Sequence, residues 1–559
     1  MPERVLHILS EVGIVYYTYL REDKGMSSIV RQKVGDKIYL YESVSYRNEE
    51  GKPRNKRTSI GKIDKVTGQP VYKPAYLDRM ADAGQPIVIK PAKTLSNFTV
   101  EDIMCSSVRD FGAFYLFKKL GEQSGLMSVL QKAMPRCWEE VFNLAAYLIS
   151  TGDPFAYCED WLTSTEAFFV GPMTSQRISE LLNGITQGER DDFYQLWCSL
   201  RSEREYLALD ITSTSSYSEL IDSVEWGYNR DGENLPQINI CLLMGYQSRY
   251  PIYQSVYRGS LKDVTTLQTT IRTFQALAGG KPMIAVMDKG FFSTENVDVM
   301  LSEQQRVDFI IAVPFTNKFT KELVKSESKG IDTLNNTIIH GKESLRAVTR
   351  LCQWNNDHSV YAHVYYNARK ANGIREDLYT HVASLREHAL EHPEKFANNP
   401  AYTKYLIIRR SGEESGGFTV NLREDVVEAE LETAGWLIVI SNYTADAKEA
   451  IKIYREKDIV EKGFLRLKNN LDLGRIRVRS ETSMQNKVFI GFISLILLSG
   501  IHNVMVEKNL YGQMTMRKLI LTLSKLKLQI VKNVRVLFPL SKDQRSIYEA
   551  FRIQAPVYV

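Results

Sequence analysis

Residues 206–212 read YLALDIT, and residues 282–290 read PMIAVMDKG. Around them lie QINICLLMG (237–245), YPIYQSVY (250–257) and DFIIAVP (308–314). Each is a short run of Val, Ile, Leu, Met or Tyr bounded by Gly, Asp or Pro, which predicts a strand. Asp263 to Leu277 and the segment STENVDVMLSEQ (293–304) carry apolar residues at helical spacing instead. The order is strand, strand, strand, helix, strand, helix, strand, which implies a mixed sheet with helices on its faces. Two of these runs close on an acid: Asp210 after the first, Asp288 after the fourth.

That element order is the ribonuclease-H-like one. Residues 204–315 form its first part, and residues 436–510, beginning with GWLIVISN (435–442), its second. Residues 316–435 break the pattern with HSVYAHVYYN, a charged helical stretch REDLYTHVASLREHALEHPEKF, and the Gly- and Ser-rich RRSGEESGGF. They are expected as an insertion into that fold. Residues 1–95 alternate like strands (KIYLYESVSYR) and predict a small β-rich module. Residues 96–203 have helical periodicity in VRDFGAFYLFKKLGEQSG and WEEVFNLAAYLIST, and residues 511–559 are a basic C-terminal region. The fold class is thus an interrupted α/β core within a multidomain α+β chain.

The second part holds YREKDIVEKGFLRLK (454–468). On one helix, Tyr454, Lys457, Glu461 and Lys468 would project within an arc of about 60°. Ile453, Val460, Phe464, Leu467 and Leu471 make an apolar stripe about 80° further round. Charged residues on such a helix are ordinarily a solvated face, and Lys–Glu spacing of four is ordinary helix support. An acid flanked by cations is also what metal-assisted chemistry on a phosphate requires.

Asp210, Asp288 and Glu461 come from three elements. If the two strands are neighbours and the helix crosses their sheet, the acids can hold two Mg²⁺ (or Mn²⁺) ions about 3.5–4 Å apart. Asp at a strand end is also common in turns, and Asp231, Asp263 and Asp308 are rival ligands. The six cysteines are widely spaced, with no CxxC, which argues against structural zinc and fits reduced thiols.

Net charge is +5, but it is unevenly spread. Residues 451–559 carry 20 Lys and Arg against 8 Asp and Glu, leaving 51 against 58 before them. An excess that starts at the 454–468 segment and runs through Arg475, Arg477 and Arg479 points to a polyanionic partner. The apolar run VFIGFISLILLSGI (488–501) is too short to span a bilayer and is expected as a buried helix. With no evident leader, a cytoplasmic protein without membrane association is expected.

These motifs together resemble bacterial insertion-sequence DDE transposases with a YREK signature: Tyr, two residues, Arg, three residues, Glu, six residues, Lys. Tyr454, Lys457, Glu461 and Lys468 keep every spacing, with Lys in place of Arg. LALDITS and VMDKGFFS look like the first and second acidic motifs, and the likeness spans about residues 100–540. The resemblance implies a β-rich insertion between Asp288 and Glu461, and that Asp210, Asp288 and Glu461 are catalytic and hold the metals. It implies that Tyr454, Lys457 and Lys468 contact DNA near the cleaved phosphate; the basic excess adds Arg475 and Arg477 as further contacts. It implies cut-and-paste movement of a mobile element, with double-stranded DNA ends and target DNA as partners. A homodimer on paired ends, in a bacterial or archaeal cytoplasm at the nucleoid, goes with it. Lys457 offers a point charge where Arg offers a bidentate fork.

Other motifs carry less. HALEH (388–392) lacks the zincin order, and no Walker A or GxSxG motif is present. Trp354 is a candidate for holding a flipped base; Trp436 sits in an apolar strand. Two rival functions remain: a nuclease of the same fold that cuts without joining, and an inactive DNA-binding descendant of a transposase.

Overall fold

The computed structural model describes residues 99–200, 205–279, 282–302, 307–411, 417–532 and 534–556, with 18–19, 27–34, 37–47, 53–64, 70–73 and 76 before them. The chain divides into two compact units: residues 1–111, 525–549 and 554–559 form one, and residues 112–524 with 550–553 the other.

The first unit contains a five-stranded antiparallel meander, Thr18–Tyr19, Ser27–Val34, Lys37–Arg47, Pro53–Ile63 and Pro70–Tyr72. Val30, Leu40 and Ile60 are buried on it, as alternation in a half-covered sheet requires. A second sheet pairs Ser107–Asp110 with Lys527–Val531 and that strand with Val534–Leu537. The C-terminal basic stretch is therefore partly strand.

The second unit opens with helices α1 Gly112–Gln123, α2 Leu126–Ala133, α3 Trp138–Thr151, α4 Cys158–Ser164, α5 Ser175–Gly184 and α6 Gln187–Ser199. Strands β1 Tyr206–Ser216, β2 Gln237–Gly245 and β3 Pro251–Arg258 follow as an antiparallel series. Helix α7 Asp263–Leu277 leads to β4 Ile284–Met287, and α8 Thr294–Leu301 to β5 Asp308–Ala312. β4 lies parallel to both β1 and β5, so the order across the sheet is β3-β2-β1-β4-β5. β2 is buried along its whole length, which explains its uninterrupted apolar sequence.

Beyond β5 the sheet continues. After α9 Lys318–Glu327 come β6 Thr337–His340, β7 Glu343–Gln353 and β8 Ser359–Tyr366. β11 Trp436–Ser441 fits between β5 and β8, antiparallel to both. With β12 Arg475–Ile476 paired to β1, the sheet has ten strands. Much of the stretch expected as an insertion is thus hydrogen-bonded into the core sheet. What stands apart is α10 Ala368–Glu391 with the hairpin β9 Leu406–Ser411 and β10 Gly417–Leu422. It has its own small core of Val382, Leu385, Ala389, Tyr405, Leu406 and Val420.

Two sequence expectations change here. The single helix over 454–468 is two: α11 Ala447–Arg455 and α12 Asp458–Asn470, joined by a turn at Glu456 and Lys457. Through the turn the backbone bonds tighten to three-residue spacing, Glu456 N–H to Ile453 O and Lys457 N–H to Tyr454 O. The physical reason is that the two halves pack on different surfaces. Ile451, Ile453 and Tyr454 of α11 are buried with Val286, Ile310, Leu345 and Val439. α12 packs on β1, β2 and the following helix. Second, Asp210 does not end its strand: β1 runs on to Ser216.

That following helix is α13 Glu481–Glu507, which contains the run 488–501. By length and composition it could cross a membrane, yet 83% of its most apolar window is buried inside the fold. It packs against α1, α3, α5, α12 and β3. Gly491 permits the close crossing: a Cβ there would stand 2.3 Å from Leu473 Cδ1. Gly463 does the same for α12, where a Cβ would stand 3.1 Å from Leu242 Cδ2 of β2.

Candidate active site

Strand register brings two of the acids together. β4 pairs with β1 in parallel, with Met287 opposite Leu209. The next position in that register sets Asp288 beside Asp210. Asp210 is part-buried in the middle of β1, and its Oδ1 accepts the Ile211 N–H at 2.8 Å. Asp288 caps the short 3₁₀ turn Lys289–Phe291, its Oδ1 accepting the Lys289 N–H at 2.8 Å.

The α11–α12 turn supplies the rest. The Tyr454 hydroxyl donates to Asp288 Oδ1 at 2.9 Å. Lys457 Nζ lies 3.3 Å from Asp288 Oδ2 and 3.2 Å from Glu461 Oε1. One ammonium thus joins the acid after β4 to the acid on α12. The Lys457 side chain is only 15% exposed, so the break between the helices turns it inward rather than onto a solvated face.

Electrostatics follow from burial and that ammonium. Burial pushes the Asp210 carboxyl up to about 6, against the lowering effect of the Ile211 N–H, Lys457 and Arg230. For Asp288, burial acts upward, but Lys457, the Lys289 N–H and Tyr454 together bring it below the usual carboxylate range. Burial and the Asp288 charge push the Tyr454 phenol well up, so it stays a donor. Lys457 is held above its ordinary value: burial works downward, and Asp288 and Glu461 outweigh it.

The remaining cations predicted from sequence are each met by a carboxylate. Lys468 Nζ lies 2.6 and 2.8 Å from the two oxygens of Asp231. Arg475 Nη2 donates to Glu233 at 2.5 Å, and Arg477 Nη1 to Asp472 at 3.2 Å. Of the rival acids, Asp263 pairs with Arg230, and Asp308 opens β5 with its carboxyl raised by burial. Glu233 and Asp472 have no sequence signal, because their partners lie far off in the chain or depend on a single turn. Trp354 Nε1 donates to Asp298 at 2.9 Å, and its ring meets Phe292 and Phe319 edge-on. Trp436 packs on Tyr366.

Among the described residues, no three His, Cys, Asp or Glu stand close enough to coordinate one ion. The chemistry of the cluster nevertheless fits a hard divalent cation. Its donors are carboxylate oxygens, Asp210 carries a carboxyl raised by burial, and a cation already bridges Asp288 and Glu461. A separate cavity of about 590 Å³, lined by Arg190, Tyr194, Gln254 and Glu481 among others, includes none of these acids.

The family model of the transposase DDE domain matches residues 201–497, more than half of the chain and the whole of this cluster. No curated protein matches. Among solved structures, the cryo-EM structure of a piggyBac transposase synaptic complex with hairpin DNA is similar at 11% identity and a TM-score of 0.33. That match covers 85% of this chain and 78% of the other.

Proposed function

Since the chain belongs to the transposase DDE domain family, we propose that it moves an insertion element by cut and paste. It would hydrolyse the 3′ ends of the element and join them to target DNA by direct phosphodiester attack. The observation that carries this reading is the register of β1 with β4, which sets Asp288 beside Asp210, with Lys457 tying Asp288 to Glu461. The order β3-β2-β1-β4-β5 with a parallel β1–β4–β5 half supports a ribonuclease-H-like core.

Asp210, Asp288 and Glu461 would hold Mg²⁺ or Mn²⁺, which polarises the phosphorus and stabilises the entering and leaving oxygens. Tyr454 orients the Asp288 carboxylate through its hydroxyl. Lys457 pairs with both Asp288 and Glu461 in the free protein and would turn to a phosphate oxygen when DNA arrives. As a point charge it fixes the phosphate's position less tightly than an arginine fork. Lys468, Arg475 and Arg477 extend the positive surface along the DNA backbone. A homodimer on paired ends in a bacterial or archaeal cell completes the reading, since both ends of an element must be joined.

The test is cleavage and joining, with Mg²⁺, of labelled DNA that carries the sequences flanking the gene on either side. Asp288→Asn is expected to abolish both steps while retaining end binding. Cleavage at the wild-type rate by this variant would remove the three-acid site. Cleavage without joining of pre-cut ends by the wild-type protein would leave a nuclease.

A further inference from the structure

The turn Asn229–Glu233, in the connection between β1 and β2, places two carboxylates on two cations of the proposed DNA surface. Asp231 faces Lys468 with both oxygens, and Glu233 holds Arg475. The turn is built locally. Asn229 Oδ1 accepts the Asp231 N–H at 2.8 Å, the Gly232 N–H reaches Asn229 O at 3.1 Å, and Asn229 Nδ2 donates to Ser215 Oγ at 3.0 Å. Gly232 has φ +71° with open space around it, so the tip lies at the surface.

The two cations are less exposed than the acids that meet them. The Lys468 side chain is 14% exposed against 39% for Asp231. Arg475 spends only part of its fork: Nη2 bonds Glu233, while Nη1 is buried without a hydrogen-bond partner. Its guanidinium also lies 4.9 Å from the centre of the exposed Tyr217 ring. A phosphate oxygen would compete with the Glu233 carboxylate for Nη2. Lys468, a point charge, is met by both oxygens of Asp231.

We propose that Asp231 and Glu233 stand in the free protein where two phosphates of bound DNA go, making the Asn229–Glu233 turn an anionic plug that DNA displaces. This rests on the transposase reading above and adds its regulation. Each cation is paired in the absence of DNA, so a phosphate must take the place of a carboxylate to reach it. Non-specific polyanions must break two ion pairs before they reach these two cations.

The test compares the full-length wild-type chain, Asp231→Asn/Glu233→Gln, and a charge-matched control, Glu428→Gln/Glu432→Gln, at two exposed acids in and just after the helix Glu424–Leu431. Binding to linear duplex DNA of mixed sequence is read by fluorescence anisotropy at one fixed salt concentration. The plug variant is expected to bind up to about 30-fold tighter than wild type, the scale of two exposed ion pairs. The control is expected to gain far less. Hydrogen exchange in a peptide covering residues 229–233 should rise when the wild-type chain binds DNA. Affinity equal to the control, or weaker than wild type as expected if the acids merely aim Lys468 and Arg475, overturns the plug. If the wild-type chain binds no DNA, the transposase reading falls and the plug with it; if it binds and the variant gains nothing, only the plug falls.

Discussion

Asp472→Asn should loosen the second unit far more than a surface charge change does. Lys487, in α13, is 3% exposed, and its ammonium lies 3.1 Å from Asp472 Oδ2. Burial lowers the lysine, and the aspartate partly offsets this. Asp472 sits at φ 51°, a left-handed conformation that Asn also tolerates, so the substitution removes the charge and spares the backbone; the more exposed Arg477, on Oδ1, loses its carboxylate too but stays solvated. Removing one partner of a buried ion pair costs about 3–5 kcal/mol. Deprotonation sets a ceiling: neutralising a lysine of ordinary pKa at pH 7 costs about 4.6 kcal/mol. The Asn carbonyl still accepts a hydrogen bond, so about 3 kcal/mol is expected.

The pH dependence has a definite sign. In the variant, the folded-state pKa of Lys487 falls further below its unfolded value, so the unfolded chain binds more protons between the two. Stability of the variant relative to wild type therefore rises with pH across that window. At pH 9.4 the ceiling drops to about 1.4 kcal/mol. The assay is urea unfolding followed by tryptophan fluorescence, which reports on the second unit because all six tryptophans lie in it. A deficit under about 0.5 kcal/mol at pH 7, or one that grows towards pH 9.4, would refute the buried-pair argument.

Gly491→Val forces a Cβ against Leu473 and should cost about 1–3 kcal/mol by overpacking, read as a lowered midpoint in the same urea experiment. Gly279→Ala has no such neighbour within 4 Å; its cost, if any, comes from its positive φ alone, and it serves as the comparison. His363 is fully buried, donating from Nε2 to Thr444 O at 3.1 Å and lying 2.9 Å from the Thr349 hydroxyl through Nδ1. Burial lowers it to about 4, so the unfolded chain binds the extra proton between pH 6.5 and 4. Stability is complete above pH 6.5 and falls by about 3 kcal/mol towards pH 4. His363→Gln should remove that part of the acid sensitivity, measured as urea midpoints from pH 7 to pH 4.5.

The acids were legible in the sequence because local rules govern them. YLALDIT and PMIAVMDKG are short apolar runs, and their parallel pairing in the register that sets Met287 opposite Leu209 brings the two acids side by side, although β1 runs on past Asp210. The break after Arg455 was not legible. No Gly or Pro marks it, and the apolar stripe runs on through Val460, Phe464 and Leu467. It exists because Ile451 and Ile453 find their partners on β4, β5, β7 and β11, while Gly463 lies against β2, and one straight axis does not serve both. The same holds for β8, whose alternation reads as a strand but whose partner β11 lies some 70 residues on. The pairs Lys468–Asp231 and Arg475–Glu233 join positions 237 and 242 residues apart. The break also alters what the YREK-like spacing means. On one straight helix it describes a face turned to the outside. Across two helices it describes a corner, which brings the Tyr454 hydroxyl and the Lys457 ammonium onto the same Asp288 carboxylate.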